Sequence, residues 1–472
     1  MSESRAAVGD LAIVLHSHMP YVEGFGTYPF GEEWLFDAVI RSHLPVLAFA
    51  RDLTMTVTPV LADQLEDHRA NERLHGFLVE HRIEAAKRDA ESADPEYRAA
   101  AESELFRYEG ALAKLDAHGG DALAAFAQAG SSGRVSLVAS SATHAVLPLL
   151  ATRAGVDLQV ETGMRSHRRR FGETGGFWLP ECAYHPGLEW DLARSGVEWF
   201  CVDQSRHEPE GAALCPVATE AGPVAFPIDW PAISWLWDMK GYPSWDGYLD
   251  FHRLSMNGLR IFRIDGDPYD PAAAADKAAE QAGTFLDAAA ARLASHLERT
   301  GESGLMTFAV DCELLGHWWS EGPVWLKHVI EGAAEKGINL VRLDDAVAGP
   351  TREAQLKSSS WGEEKDLRTW NDPAVADIFA GSRSLELKVT RAVAHGLDRP
   401  VAERAVRELF AVQSSDWAFL DKRRQAGDYP FERTVEHARQ AFEALQSGTH
   451  VLPDSRVRSL APDLNLTPLL AP

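Results

Sequence analysis

Short, nearly continuous apolar runs recur along this chain, separated by long segments of helical period. The runs Leu11–Leu15, Met55–Val60, Val135–Ala139, Gly176–Leu179, Glu198–Val202, Leu305–Val310 and Ile338–Arg342 read as strands, with Val224–Ile228 a weaker candidate. Apolar runs without polar alternation predict strands covered on both faces, as in a parallel sheet. Seven or eight such units alternating with helices predict a βα barrel. Periodicity alone also admits an open doubly wound sheet.

Two stretches break this rhythm. Gln64 to Ala127 is rich in Ala, Glu, Arg and Lys and has no apolar cluster long enough for a strand, so it predicts a helical insertion that Asp94-Pro95 divides in two. Ser384 to Ser447 is helical in pattern throughout, with interruptions at Asp398–Pro400 and Gly427–Pro430. Asp270 to Thr300 predicts one long Ala-rich helix with Pro271 at its start. The expected organisation is a barrel from 1–62 and 128–350, a helical insertion at 63–127, and a connecting loop bearing aromatics at 351–383. A C-terminal helical domain follows at 384–472 and ends in an extended tail with Pro453, Pro462, Pro468 and Pro472. No internal repeat is visible.

A length of 472 residues suits a barrel of roughly 250 residues with additions. The formal net charge of −24 disfavours nucleic acid and anionic membrane as partners and suits a neutral substrate. The first apolar run, Leu11 to Leu15, is too short for a signal peptide, and no stretch approaches the roughly 18 apolar residues of a membrane span. The four cysteines include no Cys-x-x-Cys, which fits reduced thiols and a cytoplasmic protein. The 14 tryptophans fit either a large core or platforms for sugar rings.

Polar and aromatic residues follow several predicted strands, where barrel enzymes keep their chemistry. The first strand ends in His16-Ser17-His18-Met19-Pro20, and alternation puts both histidines on one side. Three roles stay open for them: closing the strand by hydrogen bonds, holding a metal with residues such as His144 and Asp311, or recognising sugar hydroxyls. The fourth strand runs into Trp178-Leu179-Pro180-Glu181-Cys182-Ala183-Tyr184, which places a carboxylate in an apolar shell. That is either a catalytic group or a structural cap or salt bridge. The sixth ends in Asp311-Cys312-Glu313-Leu314-Leu315-Gly316-His317-Trp318-Trp319, where Asp311 is the first charge after an apolar strand. A pair of carboxylates at a barrel mouth is what glycoside cleavage requires. Further aromatics at Trp237, Trp361, Trp370 and Trp417 stand beside Gly, Ser or other polar residues, so an exposed role in ligand contact is expected of them.

At these residues the sequence resembles glycoside hydrolase family 57, and within it the 1,4-α-glucan branching enzymes. The resemblance covers nearly the whole chain and rests on short motifs in the family's order. They are His16 to Pro20 with Glu32 to Ala38 after it, Gly133 to Leu149 with Ala142-Thr143-His144, Trp178 to Tyr184, Asp311 to Trp319, and Ser359-Ser360-Trp361-Gly362 through Trp370-Asn371 to Gln413-Ser414-Ser415-Asp416-Trp417. It implies a distorted (β/α)7 barrel with a helical insertion and a C-terminal all-helical domain. It implies Glu181 as nucleophile and Asp311 as general acid/base of a retaining, metal-free and cofactor-free reaction on an α-glucan such as amylose or glycogen. His16, His18, Trp34, His144, Trp237, His317, Trp318, Trp319, Trp361, Trp370, Asp416 and Trp417 would bind the sugar, in a monomer or small homo-oligomer.

The sequence departs from the family's pattern in three places. The stretch Asp203–Pro216, where family branching enzymes carry a long lid, is short. Ile228-Asp229 stands for the usual Arg-Asp, and Ser136 for a common glutamate. A short lid excludes water less well and favours hydrolysis over transfer. A hydrolytic α-amylase-like enzyme on the same site is therefore the alternative. A catalytically silent glucan-binding protein and a metal-dependent amidohydrolase complete the set.

Overall fold

The computed structural model describes residues 7–92, 94–209, 211–448, 457 and 459–470. Much of the expected tail, Pro453 and Pro472 included, lies outside them. Ten strands occur among the described residues: β1 (Gly9–Ser17), β2 (Leu53–Val57), β3 (Val135–Ser140), β4 (Gly176–Trp178), β5 (Trp199–Val202), β6 (Val217–Ala218), β7 (Val224–Pro227), β8 (Gly304–Asp311), β9 (Ile338–Leu340) and β10 (Arg352–Glu353). Seven of them, in the order β7-β5-β4-β3-β2-β1-β8, run parallel to their neighbours. A parallel bridge between Ile228 and Thr307, with Asp229 N donating to Thr307 O at 2.8 Å, joins β7 to β8 and closes the ring. The α/β fold expected from the apolar runs is thus a seven-stranded barrel and not an open sheet.

Two strand expectations change rank. The weak run Val224–Ile228 forms a full barrel member, paired with β5 from Val224 to Pro227. The run Ile338–Arg342 yields only β9, beside Gly9–Leu11, outside the closed ring. The reason is the register of β1: its later residues Val14–Ser17 pair with β2, so its first residues keep a free edge that β9 fills. The second strand ends at Val57 and not Val60, because Pro59 opens a helix at Pro59–Glu66.

Every residue of β2 and β3 is buried, as strands need when helices cover the outer face. Gly163, in the helix Arg153–Phe171, lets that helix lie close on β3, since a Cβ there would overlap the Ser140 carbonyl. The long helix Pro271–Thr300 starts at Asp270, whose carboxylate accepts from Ala272 N and Ala273 N.

Between β2 and β3 lies a run of helices that includes Arg98–Ala117 and Ala122–Ser131. Buried Arg41 ties it to the barrel, reaching Glu104 at 2.8 Å, Tyr108 at 2.9 Å and Ser320 at 3.0 Å. The C-terminal helices Ala376–Ala394, Arg399–Val412 and Tyr429–Ser447 pack around an apolar cluster containing Leu385, Val389, Leu409, Phe410 and Ala441, while the helix Ser415–Arg423 places Trp417 and Ala418 in a second cluster. They grip the loop after β3. Glu386 accepts from Ala151 N at 2.9 Å and Thr152 N at 2.8 Å, and Arg383 donates to Leu149 O at 2.7 Å.

Candidate active site

The C-terminal ends of β1, β3, β4 and β8 converge on a cluster of imidazoles and carboxyls. The register of β1 with β2 sets His16 beside Thr56, and that with β8 sets His16 beside Asp311. His16 Nδ1 lies 2.6 Å from Thr56 Oγ1, and His18 Nδ1 lies 3.0 Å from Thr58 Oγ1. The ring of His144 stacks between these two, 4.8 Å from His16 and 4.0 Å from His18, and Trp178 covers His16 at 4.8 Å.

The helical C-terminal region completes the cluster from outside the barrel. Asp416 Oδ2 lies 2.9 Å from His18 Nε2. Ser415 Oγ donates to Glu181 Oε1 at 2.7 Å and lies 2.8 Å from His144 Nδ1. Glu181 has φ of 60°, and His144 has φ of 58°. Such left-handed backbone costs about 1–3 kcal/mol for a non-glycine residue, and it persists only where the surroundings over-determine it. Trp361 N donates to Glu181 O at 2.6 Å, and the Trp361 ring meets Trp178 edge-on at 5.1 Å. The segment carrying Trp361 is held in turn by Lys365, which pairs with buried Asp203 at 3.0 Å.

Burial and neighbouring charge divide the titratable groups. Burial pushes the Glu181 carboxyl up to about 7, against the lowering effect of the Ser415 hydrogen bond. The side chain still keeps 18% of its surface exposed, so it is open to a ligand. Burial, with the nearby carboxylates of Glu313 and Glu181, holds Asp311 well above the usual carboxylate range. Burial would also raise Asp416, but the His18 imidazole outweighs it and brings that carboxyl down to about 2. In His18 the same pairing overcomes burial and raises the imidazole pKa. His16 and His144 go the other way: burial, then repulsion from His18, keeps them neutral. The His18 ring, favoured in its charged form by Asp416, therefore stacks on the less basic ring of His144. Neutral imidazoles can both donate to and accept from a hydroxyl.

His18, His144 and Asp416 also form, among the described residues, the group of His and carboxylate ligands that could hold a metal, with one donor atom each within 4.8 Å of the others. Asp311 is not in that set, so the His16, His18, His144 and Asp311 grouping considered from sequence is not the one that converges.

The other expected sugar contacts divide. Trp237 and Trp318 are about half exposed, and Trp318 lies against Phe251 at 4.6 Å. His317 is buried and pushed down to about 3 by burial and by Arg260, whose Nη1 donates to its carbonyl. Trp34 packs against Phe30 and Tyr429. Three expectations need correction, because Trp319, Trp370 and Trp417 are buried and not exposed platforms. Trp319 packs on Tyr248 and Trp325. Trp370 and Trp417 belong to an apolar cluster with Val146 and Ala183, each two residues beyond His144 or Glu181. They brace the loops that hold those side chains. The polar neighbours of Trp417 suggested exposure, but Ser415 and Asp416 face the cluster while the indole turns inward and donates to Ala411 O at 2.6 Å.

Sequence reasoning missed Ser415, Thr56, Thr58, Glu313 and His43 as site residues. Glu313 accepts from His18 N at 3.0 Å and lies 2.7 Å from His43 Nε2. The two threonines carry a readable signal, since they alternate at a strand end just as the two histidines do. Asp229, preceded here by Ile228, is bound twice by Arg292, at 2.6 and 2.9 Å. The short stretch after β5 folds onto the segment around Trp361, with Gln204 Nε2 donating to Lys357 O at 2.8 Å and Arg206 to Asp366 at 2.8 Å.

The model of glycosyl hydrolase family 57 matches residues 12–357, and that of the 1,4-alpha-glucan branching enzyme C-terminal region matches residues 380–460. The chain is 30% identical to the 1,4-alpha-glucan branching enzyme of Thermococcus kodakarensis, over 91% of this chain and 72% of that one. It is 33% identical to a Mycobacterium tuberculosis protein named "Probable 1,4-alpha-glucan branching enzyme", over 93% of each. A crystal structure of the branching enzyme from Thermococcus kodakaraensis in complex with glucose and additives aligns with a TM-score of 0.92 at 26% identity, over 98% of this chain and 97% of that one. The alpha-amylase AmyC from Thermotoga maritima aligns with a TM-score of 0.86 at 25% identity, over 98% and 99%.

Proposed function

Since the chain belongs to glycosyl hydrolase family 57, we propose that it is a 1,4-α-glucan branching enzyme that uses Glu181 as nucleophile and Asp311 as acid and base. The observation that carries the residue roles is the unequal setting of two buried carboxyls at the ends of β4 and β8, three strands apart in the ring. Burial and the neighbouring carboxylates raise Asp311 well above the usual carboxylate range, the direction an acid needs. Glu181 is held near neutrality by the Ser415 hydroxyl and ionises in the same range. The reaction is retaining. Ionised Glu181 attacks the anomeric carbon and the bond to the leaving oxygen breaks, with the Asp311 proton passing to that oxygen. Asp311, now a carboxylate, takes the proton of an acceptor 6-hydroxyl as that oxygen displaces Glu181, and an α-1,6 branch results. His16, His18, His144 and Asp416 hold the hydroxyls of the sugar at the cleavage point.

Both family matches and the named relatives support the branching outcome. The substrate in this reading is a glycogen-like polymer. The four free cysteines support a reducing, cytoplasmic setting. A second reading, hydrolysis of the same bond, draws on the likeness to the Thermotoga alpha-amylase and on the short segment after β5. Purified protein incubated with linear amylose decides between them. New α-1,6 linkages by proton NMR with few reducing ends are expected, and Glu181→Gln removes both. Reducing ends without α-1,6 linkages would make the enzyme a hydrolase. No change in wild-type reactions would refute the glucan reading.

A further inference from the structure

Beside the catalytic mouth, a groove of about 720 Å³ opens between the loop after β3 and the loop after β4. Its floor is Leu147, Pro148, Leu150 and Val156, and its wall is His185, Trp190 and Arg194. The catalytic site uses none of these side chains. Trp190 is 51% exposed, one of three half-exposed tryptophans among the described residues. Here the open ring does not stand alone, because it borders the apolar residues Leu147, Pro148, Leu150 and Val156 in one groove. Next to it, Asp191 accepts from Arg153 Nε at 3.0 Å and from Arg194 Nη2 at 2.5 Å. Arg194 Nη2 also reaches Asp157 at 2.8 Å, so a network of paired charges borders the aromatic platform.

Hydrogen bonds hold both loops that flank the groove. Its β3 loop is clamped from behind by Glu386 and Arg383. On the β4 side, Tyr184 donates to Glu189 at 2.6 Å, and Gly187 N donates to the same carboxylate. The groove is also continuous with the site along the chain. Leu147 follows His144 by three residues, and His185 follows Glu181 by four, so neither lies more than roughly 14 Å from its partner.

We propose that this groove is a second α-glucan site, which holds a stretch of the polymer running off the catalytic mouth. A pyranose ring presents an apolar C–H face and an equatorial rim of hydroxyls. The face stacks on the Trp190 indole, while the rim meets the carboxylate of Asp191 and the guanidinium groups of Arg153 and Arg194. The mixture of apolar floor, open indole and paired charges suits a neutral polyhydroxylated chain, and binding outside the mouth would raise local substrate without touching the chemistry. This inference rests on the glucan reading above.

The test is affinity electrophoresis of the full-length enzyme in native gels containing soluble amylopectin, together with amylose kinetics, for wild type, Trp190→Ala and Trp190→Phe. Trp190→Ala is expected to weaken gel retardation by roughly three- to tenfold and to raise KM for amylose to match, with kcat held within about twofold. Trp190→Phe keeps a stacking face and is expected to restore most of both. Wild-type retardation and an unchanged KM in Trp190→Ala would overturn the groove site while leaving the branching reading intact. A wild-type enzyme that neither acts on amylose nor is retarded would refute the glucan reading, and this inference with it.

Discussion

Replacing Ser415 with alanine removes one hydroxyl from a buried position and leaves the fold around it filled by the same backbone. In the intact protein that hydroxyl donates to Glu181 Oε1 at 2.7 Å and holds the carboxyl near 7 against the upward pull of burial. A hydrogen bond to a charged group contributes about 1.5 kcal/mol at the low end, which is about one pKa unit. The sign follows. Without the donor the ionised form loses support, so Glu181 moves upward, to about 8 by that conversion. If Glu181 is the nucleophile, only its ionised form reacts. At pH 6 that fraction falls from about one-tenth to about one-hundredth, so kcat/KM drops by about tenfold. At pH 8.5 the fraction falls by less than about one-third, and the two enzymes nearly coincide. The assay is the pH profile of kcat/KM on amylose, from acid to pH 9, for wild type and Ser415→Ala. The acid limb should move up by about one unit in the variant. A uniform loss at every pH would mean that Ser415 only positions the loop. An acid limb that stays put or moves down would refute the claim that this proton belongs to Glu181.

Asp311→Asn removes the proposed acid, and activity on amylose should fall by about 10²–10⁴-fold. A dinitrophenyl glucoside, whose leaving group needs no proton, should lose much less, and an equal loss on both substrates would argue against the acid role. Trp417 is fully buried, so Trp417→Ala should cost about 3–5 kcal/mol of stability, read from the urea midpoint. An unchanged midpoint with a raised KM would restore the sugar-platform reading. Arg41→Met strands Glu104 in the interior with one arginine fewer, and it should destabilise by about 3–5 kcal/mol in the same assay. A variant as stable as wild type would mean that the pair adds nothing to anchoring the helical insertion.

The barrel strands and the helical segments are legible in the chain because they rest on local periodicity: an apolar run buried on both faces looks the same wherever it is placed. The carboxyls Glu181 and Asp311, to which we assign the chemistry, stand out in the chain for a related reason. A charged residue at the end of an apolar strand is a local contradiction, and local contradictions mark functional positions. What the strand patterns do not carry is register and direction. The run Ile338–Arg342 has the stronger pattern and Val224–Ile228 the weaker, yet only the latter enters the ring, because the last residues of β1 pair with β2 and leave β9 only the edge at Gly9–Leu11.

The same limit explains the tryptophans. Trp417 stands among polar residues in sequence, but a helix turns by about 100° per residue, so Ser415, Asp416 and Trp417 point three ways and only contact with the barrel decides which is covered. Ser415 and Asp416 become part of the site because the C-terminal helices close over loops more than two hundred residues earlier in the chain. The amino-acid order therefore determined the elements, the two carboxyls and the histidine pair. The tertiary structure decided which hydroxyl tunes Glu181, which imidazole is made more basic, and which indoles face the solvent, because proton affinity and exposure depend on neighbours that only folding brings together.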